Sequence, residues 1–217
     1  MKKFEWNDID IVLLDMDGTL LDLYFDNYFW NDYMPKHWAE QQGISHEEAI
    51  DTLLSWYKKE KGTLQWYCLD YWTDRLGFDV MQLKEDIEHL IQPRPYAKEF
   101  LQFLVDKNKE VVMITNAHPD LLKMKCKITQ IDEYFDRLIS SHDLGYAKEQ
   151  QDFWYALSEH KPFDKQRTLF VDDNVQVLNA AKEYGLQNLW CIEEPDSRSG
   201  KQDCADYYAV DCYSKII

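Results

Sequence analysis

No apolar run in this 217-residue chain approaches the roughly twenty residues needed to cross a bilayer. The opening MKKFEWNDID carries two lysines with no apolar stretch behind them, so no secretory signal is expected. Paired cysteines are also lacking. The five cysteines (Cys68, Cys126, Cys191, Cys204, Cys212) are odd in number and show no CxxC spacing. Neither a disulfide framework nor a zinc site is expected from that pattern, and reduced thiols in a cytoplasmic protein are. Positive charge is scarce: Lys+Arg total 24 against Asp+Glu 40, a formal net charge of −16. That balance argues against nucleic acid and membrane as partners. An anionic substrate would then need local cations, from a metal ion or a few placed Lys or Arg, to overcome the field. Internal repeats and low-complexity segments are absent. What is present is apolar: 45% hydrophobic and 15% aromatic residues, enough for one sizeable core with a smaller module inserted in it.

Short apolar runs alternate with helical patterns over much of the chain. Residues 9–14 read Ile-Asp-Ile-Val-Leu-Leu, a buried strand feeding a polar loop with Gly18. Further strands are predicted at Glu110–Thr115, Arg137–Ser140, Thr168–Val171 and Asn188–Ile192. Helices are predicted over 97–108, from Pro119, over 149–160 and over 175–184, the last closed by Gly185. Alternation of this kind predicts a parallel α/β sheet. Residues 23–93 contain no convincing strand. They read as about four helices near 24–42, 45–60, 64–76 and 80–91, with Ser45 and Glu48 as a capping box. The predicted organisation is a core of residues 1–22 and 94–217 with an all-helical insertion at 23–93.

Parallel sheets bind ligands at the carboxyl ends of their strands. There the first strand delivers Asp15-Met16-Asp17-Gly18-Thr19, the second Thr115-Asn116, and the fourth Asp172-Asp173, while Lys148 enters after the third. Carboxylates converging on one edge repel one another unless a hard cation with oxygen ligands sits among them, and Mg²⁺ suits that role. Asp15 would attack phosphorus, and Asp17, two residues on, would serve as acid and then base. Gly18 lets backbone N–H groups approach a phosphate. Thr115 would donate to a phosphoryl oxygen and Lys148 would neutralise charge shared with the nucleophile.

These motifs, in this order, resemble the haloacid dehalogenase superfamily. The resemblance covers almost the whole chain. It implies a Rossmann-like core, Mg²⁺ held by Asp15, the Asp17 backbone carbonyl and Asp172 with support from Asp173, and a helical cap at 23–93. The dehalogenases of the superfamily lack an acid two residues after the nucleophile, so Asp17 favours phosphate chemistry. One departure is Glu149, where many relatives carry proline; it is expected to be tolerated. The runs LLDMDGTLLDLYFDNYFW, WYCLDYW, TNAHP, GYAKE and TLFVDDN resemble the bacterial GMP/IMP nucleotidase subgroup. That likeness implies a 5′-nucleotidase acting on purine nucleoside monophosphates.

Plainer readings stand beside these. Asp172 precedes a helix and suits an N-terminal cap, Asp173 is dispensable where one carboxylate suffices, Thr115 suits a strand end, and Lys148 suits a solvated lysine. Asn116 and His118 are expected to line the cleft, although His118 could equally satisfy a backbone group. Asp22 reads as a turn residue. The aromatics of 23–93 read mostly as core, with Phe25, Asn27, Tyr28 and Trp30 the first candidates to touch substrate. Arg94 suits either substrate or surface, and residues 195–200 a mobile loop. Rival functions are a sugar-phosphate phosphatase, a phosphoglucomutase-like isomerase, and a non-catalytic binding protein on the same fold.

Overall fold

Every residue of β1 (Ile11–Leu14) is buried, and alternate side chains enter different cores. The structure is a computed structural model that describes residues 5–217; Lys2 and Lys3 lie outside it. After β1 the chain enters an all-helical excursion of α1 (Tyr24–Tyr28), a π-helical turn (Phe29–Tyr33), α2 (Met34–Gln42), α3 (His46–Glu60), α4 (Leu64–Tyr67), α5 (Leu69–Leu76) and α6 (Val80–Glu85). It then returns through α7 (Ala97–Asp106) to β2 (Glu110–Thr115), α8 (Pro119–Thr129), β3 (Arg137–Ser140), α9 (Ser141–Leu144), α10 (Gln151–His160), β4 (Thr168–Asp172), α11 (Val175–Tyr184), β5 (Asn188–Ile192) and β6 (Tyr208–Val210). The sheet has six strands in the order β3-β2-β1-β4-β5-β6, every pair parallel. Its edge strand β6 was not expected from the sequence.

The period-two alternation of strands sorts the core into two layers. Val12, Leu14, Val111, Met113, Leu169 and Val171 face α7, α8 and the helical insert. Ile11, Leu13, Val112, Ile114 and Phe170 face α10 and α11, where Phe153, Trp154, Leu157, Val177 and Leu178 cover them. The strand order reverses around β1, so β1 and its neighbours β2 and β4 aim their carboxyl ends at a common cleft.

Local chemistry accounts for the helix ends. The Ser45 and Glu48 pair closes both bonds of a capping box at the start of α3. Gly185 ends α11 at φ 113°, a conformation open to glycine. Differences from the expected helices have local causes. The predicted 64–76 helix breaks at Cys68, whose extended backbone separates α4 from α5. The last helix of the insert stops at Glu85, and a 3₁₀ turn spans Glu88–Leu90.

The insert has its own aromatic centre. Trp30, Tyr57, Trp66 and Trp72 are in mutual contact, with ring centroids between 5.1 Å (Tyr57–Trp66) and 6.0 Å (Trp66–Trp72). Large rings let a small helical unit bury much apolar area with few residues. The chain leaves and rejoins the sheet side by side: Leu21 and Pro93 form an antiparallel bridge, Asp22 N–H donates to the Gln92 carbonyl at 2.9 Å, and Arg94 N–H to the Leu20 carbonyl at 2.8 Å. Among the described residues no helix is long and apolar enough to cross a membrane.

Candidate active site

Just past β1, Asp15 is held by its backbone N–H, which donates to the Val171 carbonyl at 3.1 Å. One carboxylate oxygen accepts from Lys148 Nζ at 2.6 Å and the other from the Thr19 hydroxyl at 3.2 Å. The same ammonium donates to Asp172 at the end of β4, at 2.7 Å. Lys148 is positioned through its own backbone: its N–H donates to the Asn116 side-chain carbonyl at 2.9 Å. Asn116 in turn donates to Glu149 at 2.9 Å, and Glu149 also accepts from the Tyr67 hydroxyl of the insert at 2.6 Å. Glu149 therefore joins β2, the Lys148 segment and α4, a role its sequence position did not suggest.

Asp15, Asp172 and Asp173 each offer a carboxylate oxygen within 4.8 Å of the others. Burial pushes the Asp15 carboxyl up to about 6, against the pull of Lys148 and with the repulsion of Asp172. Burial likewise raises Asp172, and it raises Asp173 well above the usual carboxylate range, with Asp172 and Asp15 adding to it. Lys148 is itself opposed by burial, but its two carboxylates outweigh that and hold it protonated. One ammonium set among three carboxyl groups, two buried and one half-buried, leaves a place for further positive charge, and an all-oxygen donor set of this kind fits a hard divalent cation such as Mg²⁺. Gly18 closes the arrangement. At φ 80° its Cα packs so near Asp173 that a Cβ would stand 2.6 Å from that carboxylate.

Asp17 faces the same cavity but belongs to a second network. Lys125 of α8 donates to Asp17 at 2.6 Å and to Asp26 of α1 at 2.5 Å, and Lys84 of α6 donates to Asp26 at 3.0 Å. Both lysines are almost fully buried, at 1% and 0% exposure. Phe25 lies beneath them, its ring 5.1 Å from Lys125 Nζ and 4.9 Å from Lys84 Nζ. Burial raises Asp17 to about 6 against Lys125, with Asp26 and Asp15 repelling. Burial alone would raise Asp26 too, but Lys125 and Lys84 outweigh it and lower that carboxyl to about 2.

The cavity holds about 680 Å³, walled on one side by Asp15, Asp17, Thr115, Asn116, His118, Lys148, Asp172 and Asp173 and on the other by insert residues including Asn27, Trp30 and Lys61. Thr115 Oγ1 accepts from Ala117 N–H at 3.0 Å, which leaves its O–H to point elsewhere. His118 caps α8, its ring accepting from Asp120 N–H at 3.4 Å. Asn27 lines the cavity but spends its amide on Asp196, at 2.6 Å. Phe25 and Tyr28 are not in the wall: Phe25 is buried under the two lysines, and Tyr28 stacks on Tyr24 with centroids 5.7 Å apart. Arg94 belongs to neither substrate nor surface, because its buried guanidinium donates to the Thr19 and Glu194 carbonyls. Asp196, 3% exposed, anchors the loop expected to be mobile by accepting from Asn27 and Ser199. Asp22 does act as a turn residue, accepting from Tyr24 and Ser197 N–H groups.

Lys125, Lys84 and Asp26 escaped sequence reasoning. Their one signal is a lysine within an apolar helical stripe, as in Leu121, Leu122, Met124, Lys125.

The chain is similar to known proteins along most of its length. The haloacid dehalogenase-like hydrolase profile matches residues 9–185. GMP/IMP nucleotidase YrfG of Escherichia coli (strain K12) is 38% identical over 212 residues, covering 98% of this chain and 96% of that protein. Pyrimidine 5′-nucleotidase YjjG of the same organism is 26% identical, covering 87% and 86%. A haloacid dehalogenase phosphatase structure from Thermococcus onnurineus superposes with a TM-score of 0.77 at 22% identity, covering 96% of each chain.

Proposed function

Because this chain belongs to the haloacid dehalogenase-like hydrolases, we propose that it is a Mg²⁺-dependent phosphatase acting on nucleoside monophosphates through an aspartyl-phosphate on Asp15. The carrying observation is the triad of Asp15, Asp172 and Asp173 oxygens within 4.8 Å, with Lys148 bridging the first two. Purine nucleotides are the favoured substrates, since the relative that is 38% identical along nearly the full chain is named for GMP and IMP.

Bound Mg²⁺ would supply charge to offset the phosphoryl dianion, held by Asp15, Asp172, Asp173 and the Asp17 backbone carbonyl. Lys148 shields Asp15 and keeps its attacking oxygen directed at phosphorus. As the Asp15 oxygen–phosphorus bond forms, the bond from phosphorus to the ester oxygen breaks. Asp17 gives its proton to that departing oxygen. Its carboxyl, raised to about 6 by burial, is suited to hold a proton and release it near neutral pH. A water then attacks phosphorus and loses its proton to Asp17, and the Asp15–phosphorus bond breaks to free phosphate. The Thr115 hydroxyl, with Asn116 beside it, is placed to donate to a phosphoryl oxygen. The helices of residues 23–93 form the cap over this chemistry, with Asn27, Trp30 and Lys61 facing the rest of the substrate.

The test is a phosphate-release screen of the purified chain with Mg²⁺ against nucleoside and sugar monophosphates. Release should be fastest with GMP or IMP, should stop when a chelator is added, and should fall at least about a thousandfold in Asp15→Asn. Wild-type turnover by Asp15→Asn would overturn the covalent mechanism, and preference for sugar phosphates would overturn the substrate.

A further inference from the structure

A second group of metal-ligating side chains stands beside the cleft, made of quite different donors. Cys68 lies at the break between α4 and α5 in the insert, His118 caps α8 after β2, and His142 lies in α9 after β3. One ligand atom from each lies within 4.8 Å of the other two. Around a tetrahedral Zn²⁺, with Zn–S near 2.3 Å and Zn–N near 2.0 Å, one sulfur and two nitrogens stand roughly 3.3–3.5 Å apart. Coordination would draw the three ligand atoms together from within 4.8 Å.

The surroundings favour a cation over a mere packing contact. His142 Nε2 is buried and makes no hydrogen bond of ordinary geometry. The two rings meet edge to face at 5.1 Å. Carboxylates flank His118, with Asp70 3.7 Å from Nε2 and Asp120 3.8 Å from Nδ1. Cys68 is partly exposed, which gives a cation a way in.

We propose that Cys68, His118 and His142 form a thiolate–imidazole site for Zn²⁺, separate from the carboxylate cluster, that fastens the helical insert to the sheet. On binding, the Cys68 thiol gives its proton to solvent and the thiolate takes the metal. The donor sets divide by softness: sulfur and imidazole select Zn²⁺, and the oxygens of Asp15, Asp172 and Asp173 select Mg²⁺. Sequence spacing concealed the site because its members come from three elements. Cation binding links α4–α5 to the rim of the sheet where His118 borders the cleft.

The test uses the full chain, stripped by chelator and held in excess Mg²⁺, titrated with Co²⁺ as a spectroscopic stand-in. One equivalent should produce a thiolate-to-cobalt charge-transfer band with intense four-coordinate visible bands, and Zn²⁺ should bleach both. The bands should disappear in Cys68→Ser and in His142→Leu, each checked for folding by circular dichroism, and persist in Asp15→Asn. Absence of a thiolate band in the wild type, or its survival in either folded ligand variant, overturns the proposal. The readout is independent of turnover, so failure here and failure of the phosphatase reading are distinguishable.

Discussion

Lys125 ties the proposed acid to the insert with a single ammonium, since it donates to both Asp17 and Asp26. Removing one partner from a buried charged set leaves the others uncompensated, at a cost of roughly 3–5 kcal/mol. Lys125→Met is therefore expected to lower unfolding stability by about that amount in urea titrations, and an unchanged midpoint would refute the network. Asp26 carries a pH signature. Its carboxyl sits at about 2 in the folded chain, below the ordinary 3.8, because Lys125 and Lys84 overcome burial. A depressed folded value contributes stability above the unfolded value, and that contribution disappears as pH falls through about 2. The contribution near neutral pH is about 2 kcal/mol. The stability gap between wild type and Asp26→Asn should thus narrow between pH 5 and pH 3; a constant gap would contradict the assignment. Gly18→Ala tests the opposite kind of constraint, space. At φ 80° and with a Cβ 2.6 Å from Asp173, it should cost at least about tenfold in turnover while the fold persists. Beyond Asp17, the lysine–carboxylate network went unread, because Lys84 and Lys125 resemble ordinary solvated lysines unless their place in an apolar helical stripe is weighed. Asp15, Asp17 and Asp172 were legible because a strand end declares which residues it delivers to a parallel sheet's edge, and Lys148 from its place in the motif order after the third strand.

Between elements, the contact from Tyr67 to Glu149 joins α4 to the segment that positions Lys148. A hydrogen bond to a charged acceptor contributes roughly 1.5–3 kcal/mol. A double-mutant cycle with Tyr67→Phe and Glu149→Gln should return a coupling of about that size, measured by denaturation. Coupling near zero would mean that insert and sheet stand independently at this point. Elements with strong local signals were readable: α3 from its capping box, α11 from its closing glycine, and the central strands from their apolar runs. Those that depend on distant partners were not. β6 has three residues, of which Tyr208 and Ala209 are exposed, and it is defined by pairing with Trp190–Ile192. The break at Cys68 falls within an otherwise helical pattern. The Asp196 loop reads as mobile until Asn27, 169 positions earlier in the chain, reaches it.

For the molecule as a whole, a formal charge of −16 repels any phosphate ester at long range. Salt screens that repulsion, since the Debye length shrinks from about 30 Å at 0.01 M to about 8 Å at 0.15 M. Turnover of a dilute dianionic ester, at saturating Mg²⁺, should therefore rise roughly twofold or more across that range. A fall would mean that the cleft's local cations outweigh the field of the rest of the chain. The paired entry and exit of the insert, at Leu21 and Pro93, carry a consequence of another kind. Excursion and return are adjacent, so the backbone passes between sheet and insert at one doorway, and what else joins the two is side chain, as at Tyr67–Glu149 and Lys125–Asp26. A lineage can lengthen, shorten or exchange what hangs outside that doorway without shifting any strand, and a new substrate range can arise while the chemistry at the sheet's edge is inherited intact.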